Sequence, residues 1–233
     1  MLSLNKVEVQ APGLVNLAKT AAVSLNKHGL TGQRAAVYLV VDRSYSMHPY
    51  YADGSVQHLA DQALGLSVNL DDDGIVPLVF FDTRPYPVVG IHLGDHEGVV
   101  ADQHRLFGGD HTMGGTHYAA AMQTVVDHYA GAASTDPALV IFQTDGAPQD
   151  ADVAAQLLTR YAKRPLFFAF VGFGPRPVPF LQRLDTLAGR VVDNASYFHA
   201  GALPRSVSDS ALYDGITGEF AQWLPAARAA GVL

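Results

Sequence analysis

The chain contains no cysteine. Disulfides, thiolate zinc sites, iron–sulfur clusters and cysteine nucleophiles are therefore excluded. An oxidised secreted domain would more often be cross-linked, so the absence favours a cytoplasmic location. Long hydrophobic runs are also missing. The longest span about eight residues, against the roughly 20 that a membrane-crossing helix needs, so no direct membrane insertion is expected. Met1-Leu2-Ser3-Leu4-Asn5-Lys6 lacks a basic stretch followed by an apolar core, so no signal peptide is expected there. Charge is scarce, at 16% of residues, and leans acidic: Lys and Arg total 15 against 22 Asp and Glu, a net charge of -7. A nucleic-acid or anionic-membrane surface needs clustered basic residues, which argues against such partners. Hydrophobic residues supply 48% of the 233 positions. That excludes disorder as a description of the whole chain and suffices for one large domain, or one domain with a short appendage.

From Arg34 onward, short apolar runs alternate with helix-like stretches. Residues 35–41, 75–81, 138–142 and 166–171 read as strands apolar on both faces. Residues 88–93 form a weaker strand, and 195–199 a short edge strand. Residues 55–70, 117–129, 149–163, 179–188 and 216–230 carry helical spacing, and Asp150 and Asp152 are expected to complement the dipole of the 149–163 helix. Continuous apolar strands alternating with helices predict a three-layer, doubly wound α/β fold of the Rossmann-like kind, with a mainly parallel sheet and helices on both faces. Residues 1–33 read as an N-terminal helical extension packing on a main domain at 34–233. Its stripe is Leu14, Leu17, Ala18, Ala21 and Leu25, and the tetrapeptide Ser-Leu-Asn-Lys occurs twice, at 3–6 and 24–27.

In such sheets ligands bind at the carboxyl ends of the strands, so the residues just beyond each strand matter most. After the first strand comes Asp42-Arg43-Ser44-Tyr45-Ser46, in the form Asp-x-Ser-x-Ser. Oxygen-bearing side chains at alternate positions of a tight loop can converge on one point, and a carboxylate with two hydroxyls suits Mg²⁺, Mn²⁺ or Ca²⁺. Ser and Asp are equally the usual residues of loops and helix caps, so the triplet alone admits either reading. Gly114-Gly115-Thr116 precedes the 117–129 helix. Thr116 is either its N-cap or a hydroxyl aimed into the same crevice. Asp145-Gly146 comes after the strand ending near Phe142.

In this combination the residues resemble the metal-ion-dependent adhesion site (MIDAS) of von Willebrand factor A (vWA) domains, over roughly residues 34–231. The resemblance implies that Ser44, Ser46 and Thr116 ligate the cation directly. Asp42 and Asp145 would supply charge and water-mediated contacts. It further implies a non-catalytic interaction module with Mg²⁺, or Mn²⁺ or Ca²⁺, whose open coordination position takes an acidic side chain from a protein partner. Where the family often has Gly, this loop has Tyr45. The surface expected to meet the partner comprises Tyr45, Met47, His48, Tyr50, Tyr51 and the 108–117 loop. Residues 42–47, 50–57 and 69–77 are similar to bacterial vWA proteins associated with tellurium resistance and chemical stress. Nothing in these residues is suited to tellurite itself, which thiols would favour.

Other signals carry less. Asn69-Leu70-Asp71-Asp72-Asp73-Gly74 begins like an EF-hand loop, but its twelfth position is Phe80 instead of Glu, so it reads as a helix-to-strand turn. The scattered histidines read as rim and loop residues, not ligands. Two other classes remain open at this stage. One is a Mg²⁺-dependent phosphoryl-transfer or phosphatase-like enzyme, or a phospho-acceptor receiver; a receiver would need a Lys after a late strand, and residues 166–174 hold none. The other is a structural α/β domain whose metal motif has decayed.

Overall fold

The computed structural model describes residues 2–132 and 134–233. In chain order the helices are α1 (Leu4–Gln10), α2 (Val15–Lys27), α3 (His48–Ala52), α4 (Ser55–Leu70), α5 (Val99–Leu106), α6 (Tyr118–Gly131), α7 (Ala151–Tyr161), α8 (Pro179–Asp185) and α9 (Asp209–Ala229). The strands are β1 (Ala36–Asp42), β2 (Ile75–Phe81), β3 (Val89–His92), β4 (Ala138–Thr144), β5 (Leu166–Phe173) and β6 (Ala195–Gly201). They form one sheet in the order β3-β2-β1-β4-β5-β6, parallel except for the antiparallel edge strand β3. This is the three-layer α/β arrangement that the alternating pattern predicts.

The two faces of the sheet bury different helices, because successive side chains on a strand point to opposite sides. Val37, Leu39 and Val41 of β1 pack with α1, α2, α4, α5 and α9. Tyr38 and Val40 pack with α6, α7 and α8. A strand covered on both sides has no reason to alternate polar with apolar residues, so the central strands read as continuous apolar runs. Pro77 lies in β2 opposite Gly90 of β3. The pairing of β2 with β1 begins one residue later, at Leu78 with Leu39, so the proline stands near the start of the strand, where a missing N–H is tolerable.

Several elements depart from the sequence reading. The amino-terminal segment is two helices: α1, capped by the Ser3 side chain accepting from the Lys6 N–H, and α2. The first Ser-Leu-Asn-Lys therefore opens a helix, while the second closes one, with Ser24 and Lys27 both bonded to Asp214. Identical tetrapeptides thus take different roles, and the repeat is not structural. Helices α3 and α5 are two further short helices that the sequence reading does not include. Helix α9 begins at Asp209, seven residues before the expected start at Ile216, because Ser208 caps it by accepting from the Ala211 N–H. Asp150 stands at the N-cap of α7 and Asp152 in its first turn, but the Asp150 side chain makes no capping hydrogen bond to that helix. Its carboxylate turns to the neighbouring helix and accepts from the backbone N–H groups of Tyr118 and Ala119 at the start of α6, both at 2.9 Å. Residues 71–74 form the turn between α4 and β2, and Phe80 lies within β2, as the rejection of a calcium loop requires.

The strand order reverses direction between β1 and β4. Chain connections leave these neighbours toward opposite edges, which opens a crevice at their carboxyl ends. Asp42 ends β1 and Thr144 ends β4.

Candidate metal centre

The residues at the crevice form one connected set of oxygens. Asp42 is fully buried. Its Oδ1 accepts from the Ser44 backbone N–H at 2.6 Å, and its Oδ2 accepts from the Thr144 hydroxyl at 2.6 Å. The Ser44 and Ser46 hydroxyls lie 3.2 Å apart, and Ser46 donates to Asp145 Oδ1 at 2.9 Å. Four of the five residues singled out in the sequence are thereby joined through hydrogen bonds, from Asp42 through the serine loop to Asp145.

Thr116 reaches the same crevice through backbone contacts. Ser44 and Gly114 form a parallel bridge, Tyr45 N–H donates to the Gly114 carbonyl at 3.0 Å, and Gln149 N–H donates to the Thr116 carbonyl at 2.9 Å. The 114–116 segment is thus held between the β1 loop and the β4 loop. The segment is closely approached: a Cβ on Gly115 would meet the end of the Gln149 side chain at 2.7 Å, and one on Gly114 the Asp82 side chain at 3.1 Å, so either side chain would have to shift. The competing role for Thr116, capping α6, is filled otherwise, since the carboxylate of Asp150 takes the helix's free N–H groups. The hydroxyl of Thr116 forms no hydrogen bond among the described residues.

The electrostatics point the same way. Burial pushes the Asp42 carboxyl up to about 7, against hydrogen bonds from Thr144 and Ser44 that lower it, with the nearby Asp145 raising it further. Burial likewise raises Asp145. Two carboxylates held close in a poorly solvated crevice lack a compensating positive charge. The cation nearest in sequence does not supply it. Arg43 is fully buried and directed away, and no sequence signal within an Asp-x-Ser-x-Ser loop would have marked it. Its Nη2 donates to the carbonyls of Phe107 and Gly109 and to the Thr112 hydroxyl. Its Nη1 donates to Tyr86, Asp82 and the Thr112 carbonyl, and its Nε to His104 Nδ1. Arg43 therefore straps the segment leading to Gly114 onto the Asp-x-Ser-x-Ser loop.

Two carboxylates and three hydroxyls are hard oxygen donors, a set that fits Mg²⁺, Mn²⁺ or Ca²⁺ and not the softer metals. No group of three or more His, Asp or Glu side chains suited to a metal occurs among the described residues.

The rim differs in part from expectation. Tyr45 is 74% exposed, and His48 is exposed with its Nε2 3.2 Å from Asp110. Met47, expected at the partner surface, is fully buried, with its sulfur accepting from Gln143 Nε2. The short turn 45–47 rotates it under the loop. Tyr51 stacks on His104 and donates to the Asp42 carbonyl, so it supports the loop from beneath more than it faces outward. Asp42 is fully buried and sits below the crevice rim.

A mainly parallel sheet wrapped on both faces by helices, with an Asp-x-Ser-x-Ser loop, a threonine and an aspartate assembled at its switch point, is the construction of a vWA domain. The chain belongs to the vWA-TerF-like family, described as the vWA found in the TerF C terminus, whose model matches residues 34–233. It is 31% identical over 218 residues to the uncharacterised protein YcbR of Bacillus subtilis (strain 168), covering 92% of this chain and 88% of that one. Its fold is similar to that of manganese-loaded Plasmodium vivax TRAP, with a TM-score of 0.52 and 19% identity over 78% of this chain and 74% of the other. It is also similar to proximal thread matrix protein 1 of the mussel byssus, with a TM-score of 0.54 and 15% identity over 78% of this chain and 46% of the other.

Proposed function

We propose that the protein is a non-catalytic interaction module that binds a protein partner through a divalent cation. The observation that carries this reading is the hydrogen-bonded series Asp42–Ser44–Ser46–Asp145, with an uncommitted Thr116 hydroxyl beside it. In this reading the hydroxyls of Ser44, Ser46 and Thr116 hold the cation directly. Asp42 and Asp145 balance its charge and orient the loop. When bound, the cation supplies an electrophilic position that accepts a carboxylate, because neutral hydroxyl ligands leave much of its charge uncompensated. Tyr45 and His48 flank that position.

The setting we assign is a bacterial tellurium-resistance or chemical-stress system, in the cytoplasm. It rests on the similarity of residues 42–47, 50–57 and 69–77 to vWA proteins of such systems, and membership of the TerF-like family is consistent with it. The module would act there through a partner, since the chain has no thiol with which to handle tellurite. Mg²⁺ is the expected ion, and the manganese of the Plasmodium vivax structure makes Mn²⁺ the natural second probe.

Affinity capture from a bacterial lysate, with Mg²⁺ or with EDTA, tests the reading when run in parallel with Thr116→Ala. A partner retained in Mg²⁺, released by EDTA and lost in Thr116→Ala is the expected result. Capture unchanged in both would move the binding surface away from the cation, and phosphatase turnover by the pure protein would refute the non-catalytic assignment.

A further inference from the structure

Beside the metal loop lies a cleft of about 480 Å³ between the β4 exit, Asp145-Gly146-Ala147, and the β5 exit, Gly174-Pro175-Arg176-Pro177-Val178-Pro179. Asp145 belongs to the candidate metal centre, so the cleft continues that centre along the sheet's carboxyl edge. Arg176 is the only basic residue among those lining it. Its side chain is exposed and makes neither an ion pair nor a hydrogen bond among the described residues.

The wall that carries Arg176 is stiff. Proline fixes φ at positions 175, 177 and 179. The wall is pinned at both ends: Gly174 N–H donates to the Gly201 carbonyl, His199 Nε2 donates to the Gly174 carbonyl, and Val178 N–H donates to the Tyr197 hydroxyl. The backbone that carries the guanidinium therefore loses little further freedom on binding, and only the Arg176 side chain itself has to be ordered.

Resting on the metal-dependent reading above, we infer that this cleft is a second anchor for the partner: an acidic peptide segment places one carboxylate toward the metal loop and a second carboxylate on Arg176. The planar guanidinium fork matches a carboxylate. A phosphoryl group is the less suitable occupant. Phosphate cradles draw on several backbone N–H groups, and three of the wall's residues are prolines with no N–H to give. Two cationic points on one edge would select segments rich in Asp and Glu over those with an isolated carboxylate.

The test uses fluorescein-labelled synthetic peptides in which two glutamates are separated by zero to three glycines. Each is paired with a version whose second glutamate is glutamine, and binding is read by anisotropy. In Mg²⁺ the best two-glutamate peptide should bind about fivefold tighter than its glutamine partner, an advantage that shrinks with salt as an exposed ion pair must. In Arg176→Gln the advantage should disappear, while the remaining binding still falls away in EDTA. A thermal melt equal to wild type establishes that this variant is folded. An advantage that persists in Arg176→Gln overturns the second anchor and leaves the metal-dependent reading standing. Inorganic phosphate that displaces peptide from wild type but not from Arg176→Gln overturns it in favour of a phosphoryl ligand. Binding equal in Mg²⁺ and EDTA, or no binding of any peptide, overturns the metal-dependent reading and the anchor with it.

Discussion

The Thr144 hydroxyl donates to Asp42 Oδ2 at 2.6 Å, across the boundary where β1 and β4 diverge. The two residues are 102 positions apart in sequence, and each ends its strand. One strand end thus orients the carboxylate of the other, and with it the loop whose Ser44 N–H is bound to the other carboxylate oxygen.

Thr144→Val keeps the side chain's shape and removes this donor. It should cost about 1–3 kcal/mol, the penalty for leaving a buried polar group short of a partner. If Asp42 serves a metal, the loss of its orienting bond should also weaken Mg²⁺ binding by about 10- to 100-fold. Urea denaturation and titration calorimetry measure the two effects separately. Unchanged affinity would show that Thr144 supports the fold alone.

Divalent cation should stabilise the native state. At a hundredfold excess over its dissociation constant, a ligand that binds only the folded chain adds about 2.7 kcal/mol. For a domain of this size that raises the melting temperature by roughly 5–10 °C. Melting curves in EDTA and in millimolar Mg²⁺ or Mn²⁺ provide the check, and superimposable curves would count heavily against the site.

Asp42 predicts a pH dependence in the metal-free protein. Its carboxyl titrates near 7 in the folded chain against an ordinary 3.8, so the native state holds the proton more tightly than the unfolded one. The associated stability is complete below about pH 4 and is lost as the pH rises through 7, with a slope of up to about 1.4 kcal/mol per pH unit. The raised carboxyl of Asp145 acts in the same direction. In EDTA the wild type should therefore lose stability between pH 4 and 7. Asp42→Asn should make the profile shallower, because the uncharged amide does not titrate, while Glu219, also raised to about 7 by burial, keeps part of the slope. Its fold should survive: Thr144 has a second acceptor in the Gly146 carbonyl at 3.2 Å. Calorimetric scans across that range decide the matter, and Asp42→Asn should also lack the shift induced by Mg²⁺.

Arg43→Lys should be severe. Lysine cannot reproduce the fork that holds the Phe107, Gly109 and Thr112 carbonyls together with Asp82. Breaking a buried charge network of this kind costs about 3–5 kcal/mol. The first consequence should be loosening of residues 107–113, detected by hydrogen exchange, and through Gly114 a weaker response to Mg²⁺. Normal protection of that segment in the variant would mean that the strap is dispensable.

The sequence by itself determined the layers and the site's composition. Continuous apolar runs such as Ala138–Phe142 can be stable only where both faces are covered, and a parallel sheet between helices results from that. Asp42, Ser44, Ser46 and Asp145, which the structure joins by hydrogen bonds, could be picked out because short-range order, a strand followed by a loop, puts small oxygen-bearing side chains at the carboxyl edge of the sheet. Tertiary structure alone decided the rest. Arg43 carries no signal in its loop until residues 104–113 fold over it, and Met47 reads as a rim residue until the 45–47 turn buries it. Asp150 looks like a cap for its own helix until α6 arrives with unsatisfied N–H groups. These assignments depend on partners tens of residues away, 32 for Asp150 and 66 for Arg43 with Gly109, and no local pattern encodes which distant backbone group will need a hydrogen bond.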